Sequence, residues 1–467
     1  MNYEAPHPLP KGWASKTIEE FVEEGRAIGY GVLKPGPHVE GGIRLVKSNQ
    51  VQDGWVDLTN DYRISEELDQ EFKRTRLSGG ELLLNVVGSI GRSAIAPAEL
   101  QGANVSRAIA VLPLDKERVP WVQLFLSSPK CQADMFGRKV GIAQPVLNLG
   151  QVRQLVIPLP PLPEQRRIVA EIEKQFTRLE AGVTALRRVQ ANLKRYRAAV
   201  LKASCEGRLV PTEAELAKTG NRNATFETGE ALLAGILTER RKTWRGRGQH
   251  KEPAAPDTEN LPDLPSGWTW ASLDQLLGLM RNGISAKPDA ESGLPMLRIS
   301  AVRALSVNLS EARYLNAKAS DYPDYVLTEG DLLFTRYNGN PELVGVCGVV
   351  PPLTSPLVHP DKLIRCKLVS SGALPDFVAI MANVGASRNY LAKRVRTTAG
   401  QAGISGGDLK GLPIPLAPLA EQTRLVAEVE RRLSVVEGLE AVVSANLQRA
   451  TRLRQSILQK AFVGALS

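Results

Sequence analysis

The sequence predicts an α+β protein in which two mixed α/β domains alternate with two long helices that pair as an intramolecular antiparallel coiled coil. Three observations predict it. The phrase PLPPLPEQRRIVAEIE at residues 158–173 returns as PLAPLAEQTRLVAEVE at residues 415–430, identical at eleven of sixteen positions. Each copy follows a globular stretch that opens on a matching phrase, Leu9-Pro10-Lys11-Gly12-Trp13 in one half and Leu264-Pro265-Ser266-Gly267-Trp268 in the other. After each copy, apolar residues recur every seven positions. A repeat this long exceeds the few tens of residues of a solenoid unit, so it marks the duplication of a two-part module.

The first globular stretch, residues 1–157, carries short apolar runs at 81–87 and 107–111 that read as strands between turns, and 119–126 reads as helix. Residues 158–207 form the first helical region. Its main stripe is Ile172, Leu179, Leu186, Leu193 and Val200, with Ile168, Phe176, Val183, Val189 and Tyr196 as companions. Residues 413–467 repeat it with Val429, Val436, Val443, Ala450 and Ile457, beside Leu425, Leu433, Leu439 and Leu453. Sustained heptads with charged flanks argue for coiled-coil pairing, and two equally long copies are each other's natural partner. A run of about 40 residues spans roughly 60 Å.

Between the halves, residues 208–261 form a connector. Residues 227–241 read as one helix, 238–251 hold six Lys or Arg against one Glu, and 253–262 read as an extended proline-rich linker. The basic run suits either DNA phosphates or a solvated helix face. The second globular domain, residues 262–412, shares framework phrases with the first. Residues 42–47 match 294–298, and Leu77-Ser78-Gly79-Gly80-Glu81-Leu82-Leu83 matches Leu327-Thr328-Glu329-Gly330-Asp331-Leu332-Leu333. Elsewhere the halves diverge, which suggests helices with one shared task and domains that each recognise something different.

A net charge of +10 favours a polyanionic partner. Cys131, Cys205, Cys347 and Cys366 are scattered without a C-x-x-C pair, so neither a zinc site nor a disulfide framework is expected. The polar first residues and the lack of a long apolar run lead us to expect a cytoplasmic protein with no membrane partner. No catalytic motif stands out. A phosphate-binding G-x-x-x-x-G-K-[ST] loop is missing, and Asn340-Pro341-Glu342 only begins an amino-methyltransferase motif. His7, His38, His250 and His359 lie apart, so no metal site is expected. Asp376, Asp408 and Lys410 fit the loose spacing of a Mg²⁺-dependent nuclease, a pattern that often arises by chance.

The repeated P-L-x-P-L-x-E-Q-x-R phrase, the two Leu-Pro-x-Gly-Trp starts, Gly330-Asp331-Leu332-Leu333-Phe334-Thr335-Arg336 and Gln401-Ala402-Gly403-Ile404-Ser405 resemble the specificity subunit of bacterial type I restriction–modification systems, over nearly the whole chain. The resemblance implies a non-catalytic, DNA-binding subunit of a bacterial or archaeal complex. Its two target-recognition domains each read one half of a bipartite sequence in double-stranded DNA, and its helices set the spacer between them. It further implies two methyltransferase subunits and ATP-dependent restriction (translocase) subunits as partners, with S-adenosylmethionine, ATP and Mg²⁺ on those partners and no cofactor on this chain. Glu164, Gln165, Glu421 and Gln422, with the heptad stripes, are the positions expected to serve helix pairing and partners.

Base readout in the major groove needs Arg or Lys for guanine and Asn or Gln for adenine. Near the glycine-bearing turns, Lys47, Asn49, Arg92, Gln144 and Asn148 meet those terms in the first half, and Arg298, Arg336, Asn338, Gln401 and Ser405 in the second. Two other readings stand beside this one: a self-contained nuclease or methyltransferase, and a coiled-coil scaffold that binds no DNA.

Overall fold

The computed structural model describes residues 9–138, 145–219, 226–244, 249–370, 372–398 and 400–466. They form two compact units, Met1–Val189 with Val442–Ser467, and Gln190–Ala441. The two long helices, Leu162–Cys205 and Leu419–Phe462, each contribute to both.

In the first unit the opening phrase is a tight turn. The Trp13 N–H donates to the Pro10 carbonyl at 3.0 Å, with Gly12 at φ +90°, a conformation that suits glycine. The chain then enters the strand Ala14–Thr17, which pairs antiparallel with Val156–Leu159, Ala14 opposite Leu159 and Thr17 opposite Val156. The two repeated phrases of this half therefore meet in one ribbon that clasps the domain shut. The helical region expected from residue 158 begins as strand, because Pro158 and Leu159 belong to this ribbon and the helix starts only at Leu162.

Inside the clasp lies an antiparallel sheet in the order Gly29–Tyr30, Ile109–Leu112, Leu82–Asn85, Ser93–Ile95. Successive side chains of a strand face opposite sides. Leu82 and Leu84 join a core with Trp121, Ile168, Ile172 and Phe462, while Leu83 joins a second core with Val46, Leu77 and Leu100. Trp121 packs edge-on against Trp13 and Phe462, at centroid distances of 5.8 and 4.7 Å.

The second unit repeats the plan. Trp268 N–H donates to the Pro265 carbonyl at 3.0 Å, with Gly267 at φ +89°. Thr269–Ser272 pairs with Pro413–Leu416, so the second helical region too opens as strand. Its sheet has six strands in the order Leu277–Asn282, Leu363–Leu368, Leu332–Thr335, Cys347–Val349, Leu305–Val307, Val302–Arg303. The connector helix is Gly229–Thr243, and its Leu232 and Ile236 are buried in this unit's core. Its charges are largely spent within the unit, since Arg240 lies 3.3 Å from Asp274 and Arg241 pairs with Glu252.

The helices pair antiparallel. Arg454 meets Glu180 at 2.9 Å in the first unit, and Arg197 meets Glu437 at 3.6 Å in the second. Moving from Glu180 to Arg197 matches moving from Arg454 back to Glu437, the same number of residues in opposite directions. Ile172, Leu193, Val200, Val429, Val436, Val443, Ala450 and Ile457 are buried, and Leu179 and Leu186 half-buried. The companion stripe departs from expectation, because Val189, Tyr196, Leu439 and Leu453 are exposed. Two helices bury one narrow seam between them, and a second stripe is covered only where a globular body reaches it, as at Leu425 and Leu433. Each helix also ends alike: Gly207 (φ +62°) rests on Pro265 and Gly464 (φ +73°) on Pro10, and a Cβ at either would come within 2.4 Å of the proline Cγ. Among the described residues no helix is long and apolar enough to cross a membrane.

Candidate nucleic-acid interface

Backbone hydrogen bonds match the two units position by position. Lys47 and Arg298 follow the strands Ile43–Val46 and Leu294–Leu297 and accept a returning N–H, from Gln50 at 2.9 Å and from Ala301 at 3.0 Å. Ser78 N–H donates to the Glu81 carboxylate at 2.9 Å, and Thr328 N–H to the Asp331 carboxylate at 2.7 Å. Each acid then takes an arginine, Arg26 at 2.8 Å and Arg365 at 2.7 Å. Gly91 and Gly345, both at positive φ, return to the carbonyls of Asn85 and Thr335 at 2.9 and 2.7 Å. Val86 and Arg336 come next. Their N–H groups reach the carbonyls of Ala108 and Lys362, and their own carbonyls accept from Leu147 and Ile404. The framework is common to both halves, and the side chains mounted on it differ.

In the first unit Lys47, Asn49 and Arg92 come together. Lys47 Nζ lies 3.3 Å above the Tyr62 ring. The Asn49 carbonyl accepts from Gln52 Nε2 at 2.7 Å, and Gln52 Oε1 accepts from Arg92 at 3.0 Å. Asn85 fixes this loop by donating to the Ser48 carbonyl at 2.8 Å. Asn148 stands apart at the start of the helix Leu149–Arg153, its N–H held by Gln151 Oε1 at 2.9 Å. Gln144 lies outside the described residues.

In the second unit Arg336, Asn338, Gln401 and Ser405 gather around a three-stranded sheet in the order Tyr337–Asn338, Gln401–Gly403, Arg396–Thr398. The Arg336 guanidinium lies 4.8 Å from the Tyr337 ring centroid. Asn338 Oδ1 accepts from the Asn340 N–H at 2.9 Å. Ser405 caps the helix Gly406–Lys410: its Oγ accepts from the Asp408 N–H at 3.0 Å, and Asp408 in turn accepts the Ser405 N–H at 2.9 Å. This capping box occupies both side chains, as reciprocal bonds at a helix start do. Arg298 is separate from the group. It lines a cleft of about 530 Å³ with Lys287, Arg313 and Lys362. Sequence reasoning misses those three cations and Arg396, although the run Lys393-Arg394-Val395-Arg396 hints at a basic strand.

Three of the four glutamate and glutamine positions expected to serve pairing or partners are engaged inside the chain. Gln165 Nε2 donates to the Pro160 carbonyl at 2.7 Å, and Gln422 Nε2 to the Ala417 carbonyl at 2.8 Å. Gln422 Oε1 also accepts from Leu374 N–H at 3.0 Å. Buried Glu421 accepts from Trp268 Nε1 at 2.9 Å and from Glu213 N–H at 3.1 Å, and burial holds its pKa above the ordinary range. These residues bind the strand exit to the helix entry, where backbone groups lose their ladder partners. Glu164 remains half-buried.

The nuclease pattern disperses. Asp408 is the helix cap above, Lys410 faces Asp274 at 3.8 Å, and Asp376 sits in the first turn of Pro375–Ala382. Among the described residues no cluster of three or more His, Cys, Asp or Glu is placed to hold a metal.

A family model described as the type I restriction modification DNA specificity domain matches residues 10–186. The chain is 28% identical to the type I restriction enzyme EcoKI specificity subunit of Escherichia coli strain K12, over 98% of this chain and 90% of that one. It is 23% identical to the StySPI specificity subunit of Salmonella potsdam over the same shares. Its fold is similar to that of a chain solved in work on complex assembly and conformational transition of the type I R-M system, with TM-score 0.62 and 20% identity over 99% of this chain and 100% of that one.

Proposed function

We propose that this chain, which belongs to the family of type I restriction–modification DNA specificity subunits, reads one half of a bipartite duplex target with each of its two globular units. The observation that carries the reading is the matched framework bearing unmatched loops. The clasps and glycine turns agree bond for bond, while Val86 on one side and Arg336 on the other are different chemistry on equivalent supports. Duplication followed by divergence on a kept framework is what two independent half-site readers require.

Catalysis falls to partners in this reading. Two methyltransferase subunits bind S-adenosylmethionine, and ATP-dependent restriction subunits bind ATP and Mg²⁺. The exposed apolar residues Tyr196, Val435 and Leu439 in one unit, and Val189, Val442 and Leu453 in the other, are the helix surface offered to them. The test is exchange of residues 13–157 for those of another family member, expressed with the catalytic subunits. Methylome sequencing should show one half of the target changed and the other kept. Changes in both halves would overturn the reading. Purified chain alone, given DNA, Mg²⁺, ATP and S-adenosylmethionine, should neither cut nor methylate.

A further inference from the structure

Two neighbouring surfaces of the second unit differ in kind. The first is the cleft of about 530 Å³ that Lys287, Arg298, Arg313 and Lys362 line. The one acid in its lining, among the described residues, is Asp361, 3.6 Å from Lys362 Nζ. The Glu311 carboxylate bonds to Ser300 at the cleft's rim, so four cations face two acids and the concave surface keeps excess positive charge. Lys287 and Arg313 make no ion pair among the described residues. Such a surface fits an anion that arrives from outside.

The second surface is the ribbon Arg396–Thr398 with Gln401–Gly403. Arg396 lies opposite Gly403 and Thr397 opposite Ala402, while Tyr337 joins on the far side of Gly403. Ala402 is 1% exposed, so its side of the ribbon turns to the body of the unit. By strand alternation Arg396 and Gln401 stand on the other side, and both are exposed. The Tyr337 ring lies across Gly403 so closely that a Cβ there would be 2.3 Å from the ring. Glycine at this position leaves room for the Tyr337 ring against the strand. An arginine and a glutamine on one face of these two strands of the three-stranded sheet are side chains that major-groove edges accept.

A single backbone strap joins the two. Arg336 N–H donates to the Lys362 carbonyl of the cleft at 2.9 Å, and the Arg336 carbonyl accepts from Ile404 N–H, just past the ribbon, at 3.1 Å. Lys362 of the cleft and Ile404 at the exit of the ribbon therefore flank the same residue, Arg336.

We infer that the second unit divides DNA recognition between these surfaces: the Lys287–Arg298–Arg313–Lys362 cleft holds backbone phosphates and sets register, and the ribbon face with Arg396 and Gln401 reads base edges. The inference rests on the DNA-reading function proposed above. It moves Arg298 from base reader to phosphate holder and adds Arg396 as a specifying residue.

The test uses the full-length chain, selection from randomised duplexes, and binding measured across a salt series. Wild type must first select a sequence and bind it with salt-dependent affinity; failure there overturns the functional reading itself. Given that, Arg298→Ala and Lys287→Ala should weaken selected and unrelated duplexes alike. Each should lower the salt slope by about 0.9, the share of one neutralised phosphate. The selected sequence should stay the same, and Arg298→Lys should keep the slope. Gln401→Ala and Arg396→Ala should relax preference at one or two positions of one half-site, by roughly 5- to 150-fold, with the slope nearly intact. Melting temperatures confirm that each variant is folded. The division is wrong if cleft variants change the selected bases, or if ribbon variants weaken every duplex equally.

Discussion

Gln422 donates its side-chain amide to the carbonyl of Ala417 at 2.8 Å, across the junction of strand and helix, and Gln165 repeats the bond to Pro160 at 2.7 Å. Replacing Gln165 with Leu leaves one buried carbonyl unpaired, at a cost of about 1–3 kcal/mol. Gln422→Leu should cost more, because the Leu374 N–H loses its acceptor as well. Urea unfolding of both variants measures this. A larger loss at Gln165 would show that the two junctions are not built alike.

The buried pair of Asp331 and Arg365, 2.7 Å apart, has Asp331 fully buried and Arg365 nearly so. Removing one member strands the other, so Asp331→Ala should destabilise by about 3–5 kcal/mol. The double variant Asp331→Leu with Arg365→Met should recover much of that. Thermal melts of the three proteins decide it, and a double variant no better than the single would refute the argument.

Acid should weaken the second unit through His359. Burial, aided by the charge on Arg365, pushes the pKa of its imidazole down to about 4 from 6.5. The unfolded chain then takes up a proton that the folded chain refuses. The stabilisation is complete above pH 6.5 and lost as pH falls towards 4, by up to about 3 kcal/mol. His359→Leu should flatten the dependence of melting temperature on pH in that window. An unchanged slope would assign the acid sensitivity to other groups.

Helix register offers a fourth check. Four residues inserted after Leu186 nearly complete a turn of 3.6 residues and return the buried stripe to its seam, whereas two swing it away. The four-residue variant should fold and assemble, and the two-residue variant should lose stability or partner binding. If the helices set the gap between half-sites, the first variant reads the same half-sites across a longer spacer. Equal behaviour of the two variants would mean that the seam does not hold the helices together.

Much of this fold is legible in the sequence because period and punctuation are local. The seven-residue stripe from Ile172 to Val200 marks a helix and its buried side, and Gly12 and Gly267 mark turns. Periodicity alone does not show which adjacent stripe stays bare, so it places Leu439 and Leu453 beside the seam although both lie outside it. The Glu-Gln phrase is conspicuous, yet its use is not, since the bond from Gln422 to Ala417 exists only once strand and helix meet. At the candidate interface, residue chemistry selects Arg298 and Gln401 as DNA-seeking side chains. Arg396 lies close to Gln401 in the chain, but Lys362 comes from a segment far from Arg298, and only the folded unit brings those two together.

Gly464 beside Pro10 reproduces Gly207 beside Pro265, so the two long helices end on the same joint. A gene opened after Thr219 and closed by a short bridge from residue 464 to residue 10 should encode a working protein with its recognition unchanged, which a methylome would reveal. Evolution inherits the same freedom. The contact that ends one copy is the contact that begins the next, and the connector helix buried in the second unit is what a tandem copy has to add.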